Sequence, residues 1–422
     1  MAYPRVVIVG GGFGGLSAAK SLKKASVDVL MIDKLNHHLF QPLLYEVATA
    51  ALSPGEIATP LREILRNQEN TTVIMGDVAL IDVEKKELTI ANGDRIGYEY
   101  LILAVGASHS YFGNDAWEPY APGLKTIRDA VKIREQILIS FEKAERLYST
   151  EHSEKLLNFV IIGGGPTGIE MAGAIAEIAR YTLFENFRKI KPEKSQIYLI
   201  EALPDLLPSY PKRLSKRVKS DLEKLGVHVL TGKKVTQVTE HGVQVDDLFL
   251  ESHNVIWAAG NKASALLKTL NIPLDHQGRV IVKSDLSIPN HPNVFVIGDA
   301  AHVLGKEGQP LPATAPAAVQ QGRYVANIIS KQLSKEHRKP FSYFDKGSMA
   351  AIGKTKAVAR LGKLEFTGFF AWLIWAFIHI AYLIGFRNRF GVMLEWLTIM
   401  FTGQRGVRLI NRPIDPELPK AK

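Results

Sequence analysis

The stretches "VVIVGGGFGG" (6–15) and "FVIIGGGPTGIE" (159–170), with a long apolar run near the C-terminus, predict an α/β fold. They imply two Rossmann-like nucleotide-binding domains followed by a helical C-terminal region. In each stretch an apolar strand runs into a glycine-spaced turn that opens a helix, the grammar of a phosphate-cradling βα unit.

In the first unit Gly10, Gly12 and Gly15 fit G-x-G-x-x-G. The first glycine permits the tight turn, the second lets backbone approach a pyrophosphate, and the third packs helix on strand. The helix N–H groups then face the phosphates. The next strand, "VDVLMID", ends in Asp33, 23 positions after Gly10 (33 minus 10), where an acid binds a ribose diol.

In the second unit Gly163, Gly165 and Gly168 carry the spacing, "GIEMAGAIAEIARYTLFENF" the helix, and "SQIYLIEA" a strand ending in Glu201. Glu201 follows Gly163 by 38 positions (201 minus 163), so the connection must be longer than usual. A carboxylate there bonds the adenosine ribose and repels a 2′-phosphate, favouring NADH over NADPH; Lys212 and Arg213, shortly after, weigh the other way.

The repeat extends further. "YEYLILAVGA" (98–107) and "SHNVIWAAG" (252–260) are matching strands, each ending in a glycine turn. A further strand, "HPNVFVIGDAA", delivers Asp299, placed to hold a sugar hydroxyl. After it, "LPATAPAAVQQGRYVANII" opens a helix near Thr314 with Pro316 in its first turn. Its N-terminus favours a group that gains negative charge, as a reduced flavin ring does. Two nucleotides and such a helix imply one bound flavin and one exchangeable nicotinamide, with a hydride passing between them.

Composition narrows the class. The chain of 422 residues has no cysteine, which removes disulfides, thiolate metal sites and cysteine redox relays, and with them disulfide reductases and sulfide:quinone reductases. The 12 histidines show no metal-type spacing, so no metal site is expected; His37 and His38 are adjacent and point apart. A net charge of +10 suits an anionic surface, and no nucleic-acid motif accompanies it. No signal peptide is expected, because the first apolar run is short and leads into glycines.

From residue 366 to 386 no charged residue appears: "FTGFFAWLIWAFIHIAYLIGF". As one helix this would run about 31 Å, enough to span a bilayer. An amphipathic stretch, "FGVMLEWLTIMFTG" (390–403), follows. Lys354, Lys356, Arg360, Lys363, Arg387, Arg389, Arg405 and Arg408 flank the region, and Trp372, Trp375, Trp396 and Tyr382 are placed as interfacial anchors. His379, mid-segment, reads as a satisfied core histidine.

With these stretches in view, residues 1–345 resemble the two-dinucleotide-binding-domain flavoproteins. More narrowly, "FQPLLYEVATAALSP", "GGGPTGIE", "VIGDAA", "APAAVQQG" and the apolar tail resemble the type II NADH dehydrogenases, single-subunit NADH:quinone oxidoreductases. The resemblance implies an FAD domain (1–115 and 275–345) split by an NADH domain (116–274), then a membrane-associating region (346–422). It implies FAD contacts at Gly10, Gly11, Gly12, Phe13, Gly14, Gly15, Asp33, Lys34, Val78, Asp299, Ala318 and Val319. NADH would lie at Gly163, Gly165, Gly168 and Glu201, and quinone at Gln320 and Gln321.

Glu170, expected in the first turn of its helix, is either an acid stabilised by the helix N-terminus or, as the resemblance implies, a catalytic group that positions the nicotinamide or supports proton supply. Pro316 and Glu46 stand where many members have glutamine.

Hydropathy alone calls one transmembrane helix. The resemblance points instead to a monotopic protein whose C-terminal helices lie in one leaflet, on the cytoplasmic face of the inner or cell membrane. The expected reaction takes a hydride from NADH to FAD and electrons on to a membrane quinone, with no evident proton-pumping apparatus. The resemblance leaves room for a homodimer. Two rivals share the nucleotide domains: a reductase for soluble ferredoxin or rubredoxin, and a non-catalytic NADH-responsive protein that docks on membranes.

Overall fold

The computed structural model describes residues 3–148, 151–305 and 308–411, the side chains of 151 and 152 apart. The chain divides into two compact units. One comprises Met1–Leu39, Ala58–Ser108 and Asn261–Lys346; the other Phe40–Ile57, His109–Gly260 and Gly347–Lys422.

The first unit is built on a six-stranded sheet. Its order is Ser287–Ile288, His291–Val296, Tyr100–Leu103, Arg5–Val9, Asp28–Asp33, Thr71–Met75. Only the first pair is antiparallel. Val6, Val7 and Ile8 are fully buried, as expected of a central strand covered on both faces. That double burial is why the strand reads as an unbroken apolar run. The glycine-turn helix Phe13–Ser21 packs along Ala315–Ser330. This second helix opens with Thr314 as its N-cap residue and Pro316 in the first turn.

The second unit repeats the plan with four parallel strands, Val227–Thr231, Gln196–Glu201, Asn158–Ile162 and Asn254–Trp257 in that order. The helix Pro166–Glu177 follows the glycine turn and continues as a π-wound segment, Ile178–Thr182. A loop carrying the short turn Pro192–Lys194 then leads to the strand that ends in Glu201. This excursion accounts for the long spacing between Gly163 and Glu201. A capping box, Thr126 with Asp129, starts the 20-residue helix Ile127–Arg146.

The C-terminal region departs from its hydropathy. The strand Leu364–Thr367 takes the first residues of the apolar run, and Gly368, at φ +72°, turns the chain. The helix Gly368–Tyr382 has 15 residues, about 22 Å. Gly385, at φ +91°, separates it from Phe386–Thr402. Among the described residues, no helix is long and apolar enough to cross a membrane.

The indoles are not surface anchors either. Trp372, Trp375 and Trp396 are buried, and Trp375 and Trp396 pack with ring centroids 5.0 Å apart. They are part of this unit's buried interior, whereas the exposed apolar residues of the two helices include Phe369, Phe370, Phe377, Phe386, Phe390 and Phe401. Tyr382 is also exposed. His379 donates from Nδ1 to the Trp375 carbonyl at 2.7 Å, and burial pushes its pKa down to about 4, so the ring is neutral.

Candidate active site

The two glycine turns are built alike. Gly10 and Gly163 have positive φ (+103° and +116°), and their N–H groups donate to Ile32 and Ile200 carbonyls, both at 2.8 Å. A Cβ on Gly10 would collide with the Ala104 carbonyl, and one on Gly163 with Ala258 backbone. A Cβ on Gly15 or Gly168 would strike the carbonyl of the first glycine of its own turn. The middle glycines differ. A Cβ on Gly12 or Gly165 would meet no protein atom within 4 Å. Each caps its helix in extended conformation, beside open space into which the helix N–H groups point. Packing against protein does not require glycine there, and the absence of a Cβ leaves room for a ligand. The turns therefore fit dinucleotide pyrophosphates.

The acids also match. Asp33 accepts from Gly11 N–H at 2.5 Å and Leu35 N–H at 2.7 Å. Glu201 accepts from Gly164 N–H at 2.6 Å and Leu203 N–H at 2.8 Å. Each carboxylate thus braces its own turn with one lone pair per oxygen, which leaves a second lone pair on each oxygen able to accept a further donor. Phe13 sits edge-on to His38 (centroids 5.0 Å), whose Nδ1–H donates to the Gly11 carbonyl at 2.9 Å. Burial lowers the His38 pKa, so this brace is neutral. Gly14 leaves little room toward Ile297 and Ala318. Lys34 pairs with Asp77 at 2.9 Å on the surface, and Val78 is buried.

Asp299 lies in the short turn Gly298–Ala300. The Gly298 N–H donates to Gln321 Oε1 at 2.6 Å, and Ser17 Oγ donates to the Val319 carbonyl at 3.0 Å. A cavity of about 10 Å³ lies against Gly298, Arg279, Thr314, Ala318 and Gln321. Gln321 is buried. Gln320 donates to the Pro316 and Phe344 carbonyls and accepts from Phe344 N–H at 3.0 Å. Both glutamine side chains hold backbone in place.

The second unit carries Gly163, Gly165, Gly168, Glu201 and Glu170 together. Glu170 is the fifth residue of its helix, in the second turn and not the first, beyond the orphan N–H groups that would stabilise a carboxylate. It is buried, and its Oε1 accepts from Ala351 N–H at a long 3.4 Å. Burial, reinforced by the charge of Glu46, holds its pKa well above the ordinary carboxylate value. The position does not suit the helix-terminus reading; burial instead favours the protonated form of the carboxyl.

Sequence reasoning missed what surrounds it. Glu46 accepts from Tyr45 Oη–H at 3.1 Å and Trp396 Nε1–H at 2.7 Å. Arg405 pairs with Glu177 at 3.0 Å and donates to Thr49 O and Oγ1, both at 2.9 Å. These partners lie up to 356 positions apart, and only the odd identity of residue 46 was visible in the sequence.

Comparison with known proteins agrees with this geometry. Residues 4–322 match the model of the pyridine nucleotide-disulphide oxidoreductase family, and residues 346–405 that of the NDH2 C-terminal domain. The chain is 46% identical over 417 residues to the type II NADH:quinone oxidoreductase Ndh of Mycobacterium tuberculosis, covering 95% of this chain and 89% of that one. It is 29% identical over 435 residues to an internal alternative NAD(P)H-ubiquinone oxidoreductase of Arabidopsis thaliana mitochondria, covering 95% and 85%. Its fold superposes on that of NDH2 from Plasmodium falciparum, solved in complex with NADH, with a TM-score of 0.87 at 23% identity, covering 96% and 99%.

Proposed function

The chain belongs to the type II NADH:quinone oxidoreductases, within the pyridine nucleotide-disulphide oxidoreductase family, and from that premise we propose that it carries two electrons from NADH, by way of bound FAD, to a membrane quinone. The observation that carries the proposal is the duplicated turn, each copy with open space at its middle glycine and its own carboxylate brace. FAD, when bound, accepts the hydride of NADH and passes its electrons on.

The residues of the chain bind and orient. The backbone of Gly10 to Gly15 holds the FAD pyrophosphate, and Asp33 holds a ribose. Phe13, Lys34 and Val78 border the same nucleotide. Asp299 takes a hydroxyl, and the segment at Ala318 and Val319 presents the N-terminal part of its helix to the ring system. Gly163, Gly165, Gly168 and Glu201 hold NADH. Glu170, whose pKa burial raises, is the carboxyl assigned to the nicotinamide end. Gln320 and Gln321 border the quinone through the backbone they fix. Residues 1–115 with 275–345 form the FAD domain and 116–274 the NADH domain.

The region 346–422, of which 412–422 lie outside the described residues, is assigned to the membrane. Phe370 and Phe377 recur at helical spacing on one helix, and Phe386, Phe390 and Phe401 on the next. Exposed at up to 84%, these rings supply the apolar face of a monotopic anchor, with Arg387 and Arg389 beside anionic headgroups. A reductase for soluble acceptors has no use for such a face. On this reading the anchored protein lies on the cytoplasmic face of the inner or cell membrane, singly or as a homodimer.

The test is stoichiometry. Detergent-purified protein should oxidise one NADH per quinol formed and stop when quinone is exhausted under argon. Turnover with rubredoxin or ferredoxin but with no quinone would contradict the proposal.

A further inference from the structure

Glu46 is a carboxyl whose burial the binding of nucleotides does not explain. Only 7% of it is exposed, yet both its hydrogen-bond donors, Tyr45 Oη–H and Trp396 Nε1–H, are neutral. The nearby cation, Arg405, commits its guanidinium to Glu177 and Thr49. A buried carboxylate without a cation of its own takes up a proton instead. Protonated, Glu46 can keep both partners, accepting from Trp396 and donating to the Tyr45 hydroxyl in place of accepting from it.

The setting allows exchange. Glu46 lines a cavity of about 30 Å³ with Tyr45, Glu177, Lys354, Trp396 and Arg405. That is room for a water or two, with polar partners on the walls. The titratable and charged groups facing Glu46 are Tyr45 on its own helix, Glu170 and Glu177 on Pro166–Glu177, Lys354 on the loop that donates to Glu177, and Arg405 after the last helix. Glu170 and Glu46 feel each other's charge, so a proton on one eases ionisation of the other.

We infer that Glu46, exchanging with the water cavity it lines, stores the proton that quinone reduction requires beyond the one carried in the hydride. The balance is NADH + H⁺ + quinone → NAD⁺ + quinol. The hydride brings two electrons and one proton; the carboxyl O–H bond of Glu46 breaks to release the second, and the carboxylate is reprotonated from solvent. This rests on the quinone reading above. The surroundings set the working range, because burial outweighs the two donors and Arg405 and lifts the carboxyl to about 7.

The experiment uses full-length, FAD-loaded protein and a short-chain soluble quinone at saturating NADH. Wild-type kcat should fall about tenfold per pH unit above an inflection near 7. Glu46→Gln, which keeps the shape and an acceptor for Trp396, should lose that inflection and run about tenfold or more slower on its acid side. Anaerobic bleaching of the flavin by NADH should stay within about twofold. Trp396→Phe removes a donor to the charged form and should move the inflection up by about one pH unit, a shift that a merely structural Glu46 would not produce. Glu46→Asp should restore an inflection. Quinone turnover whose pH profile is the same in wild type and both Glu46→Gln and Trp396→Phe would overturn the inference alone. Absence of turnover with any quinone would remove the reading beneath it.

Discussion

Replacing Arg405 by methionine should be among the most damaging single changes outside the nucleotide turns. The Arg405 and Glu177 side chains are 5% and 7% exposed, and their contact is 3.0 Å. Methionine fills much of the volume but leaves Glu177 with the Lys354 N–H, at 2.6 Å, as its remaining donor among the described residues. It also strips the Thr49 carbonyl and hydroxyl of their guanidinium donor. Breaking a buried pair from one side costs about 3–5 kcal/mol. The loss should depend on pH with a definite sign. Burial already raises the Glu177 pKa despite Arg405, so the folded state binds a proton more tightly than the unfolded chain. Stability from this group is therefore greatest below the ordinary carboxylate range and falls as pH rises through the raised value. Without Arg405 that fall steepens.

All five tryptophans, Trp117, Trp257, Trp372, Trp375 and Trp396, belong to the unit that holds this pair. Tryptophan fluorescence in a urea titration at fixed FAD thus reports its unfolding. Arg405→Met should lose about 3 kcal/mol or more at about pH 8 and distinctly less at about pH 5. Adding Glu177→Gln should recover part of the loss. A loss below about 1 kcal/mol at the higher pH, or one equal at both, would refute the reasoning.

Three further predictions follow from the turns and the tail. Gly12→Val should fold, because a Cβ there meets no protein atom within 4 Å, yet purify with little flavin; a full yellow spectrum would remove the pyrophosphate from this turn. Glu201→Gln should narrow the ratio of NADH to NADPH kcat/KM about five- to tenfold, less any cost to the Gly164 brace it weakens; an unchanged ratio in a folded variant would take the ribose role from Glu201. Phe377→Ser with Phe401→Ser, both at exposed positions, should free the protein from anionic vesicles in a flotation assay while tryptophan fluorescence stays native. Undiminished flotation would refute the anchor. Deleting the tail is a poorer test, since it removes buried Trp375, Trp396 and Arg405 from the second unit.

What the sequence disclosed is what local chemistry determines. Each glycine turn, with its preceding strand and following helix, lies within a short window, so its pattern survives without knowledge of the fold. The acids at Asp33 and Glu201 were legible as strand-end residues, although their second task of bracing the turn was not. The tail was legible as apolar but not as an element. A hydropathy window averages over Gly368 and Gly385, the two positive-φ positions that cut it into a strand and two short helices. The tryptophans misled because the same amphipathic ring suits a headgroup layer and a core with one polar partner. Trp396 has such a partner in Glu46. Glu170 was misplaced by less than a turn, which sufficed to exchange a carboxylate held by a helix terminus for one whose pKa burial raises. The pairs Glu46–Trp396 and Glu177–Arg405 join residues 350 and 228 positions apart, and no local pattern encodes such contacts.

The most direct test of the central claim is an anaerobic double-mixing experiment. The flavin is first bleached with one equivalent of NADH, then mixed with quinone or, separately, with oxygenated buffer, while flavin absorbance is followed. The account predicts bleaching at the first mix and return of the full yellow spectrum with quinone at least as fast as steady-state turnover, oxygen being far slower. Flavin that NADH does not bleach, or that quinone reoxidises no faster than oxygen does, would contradict it.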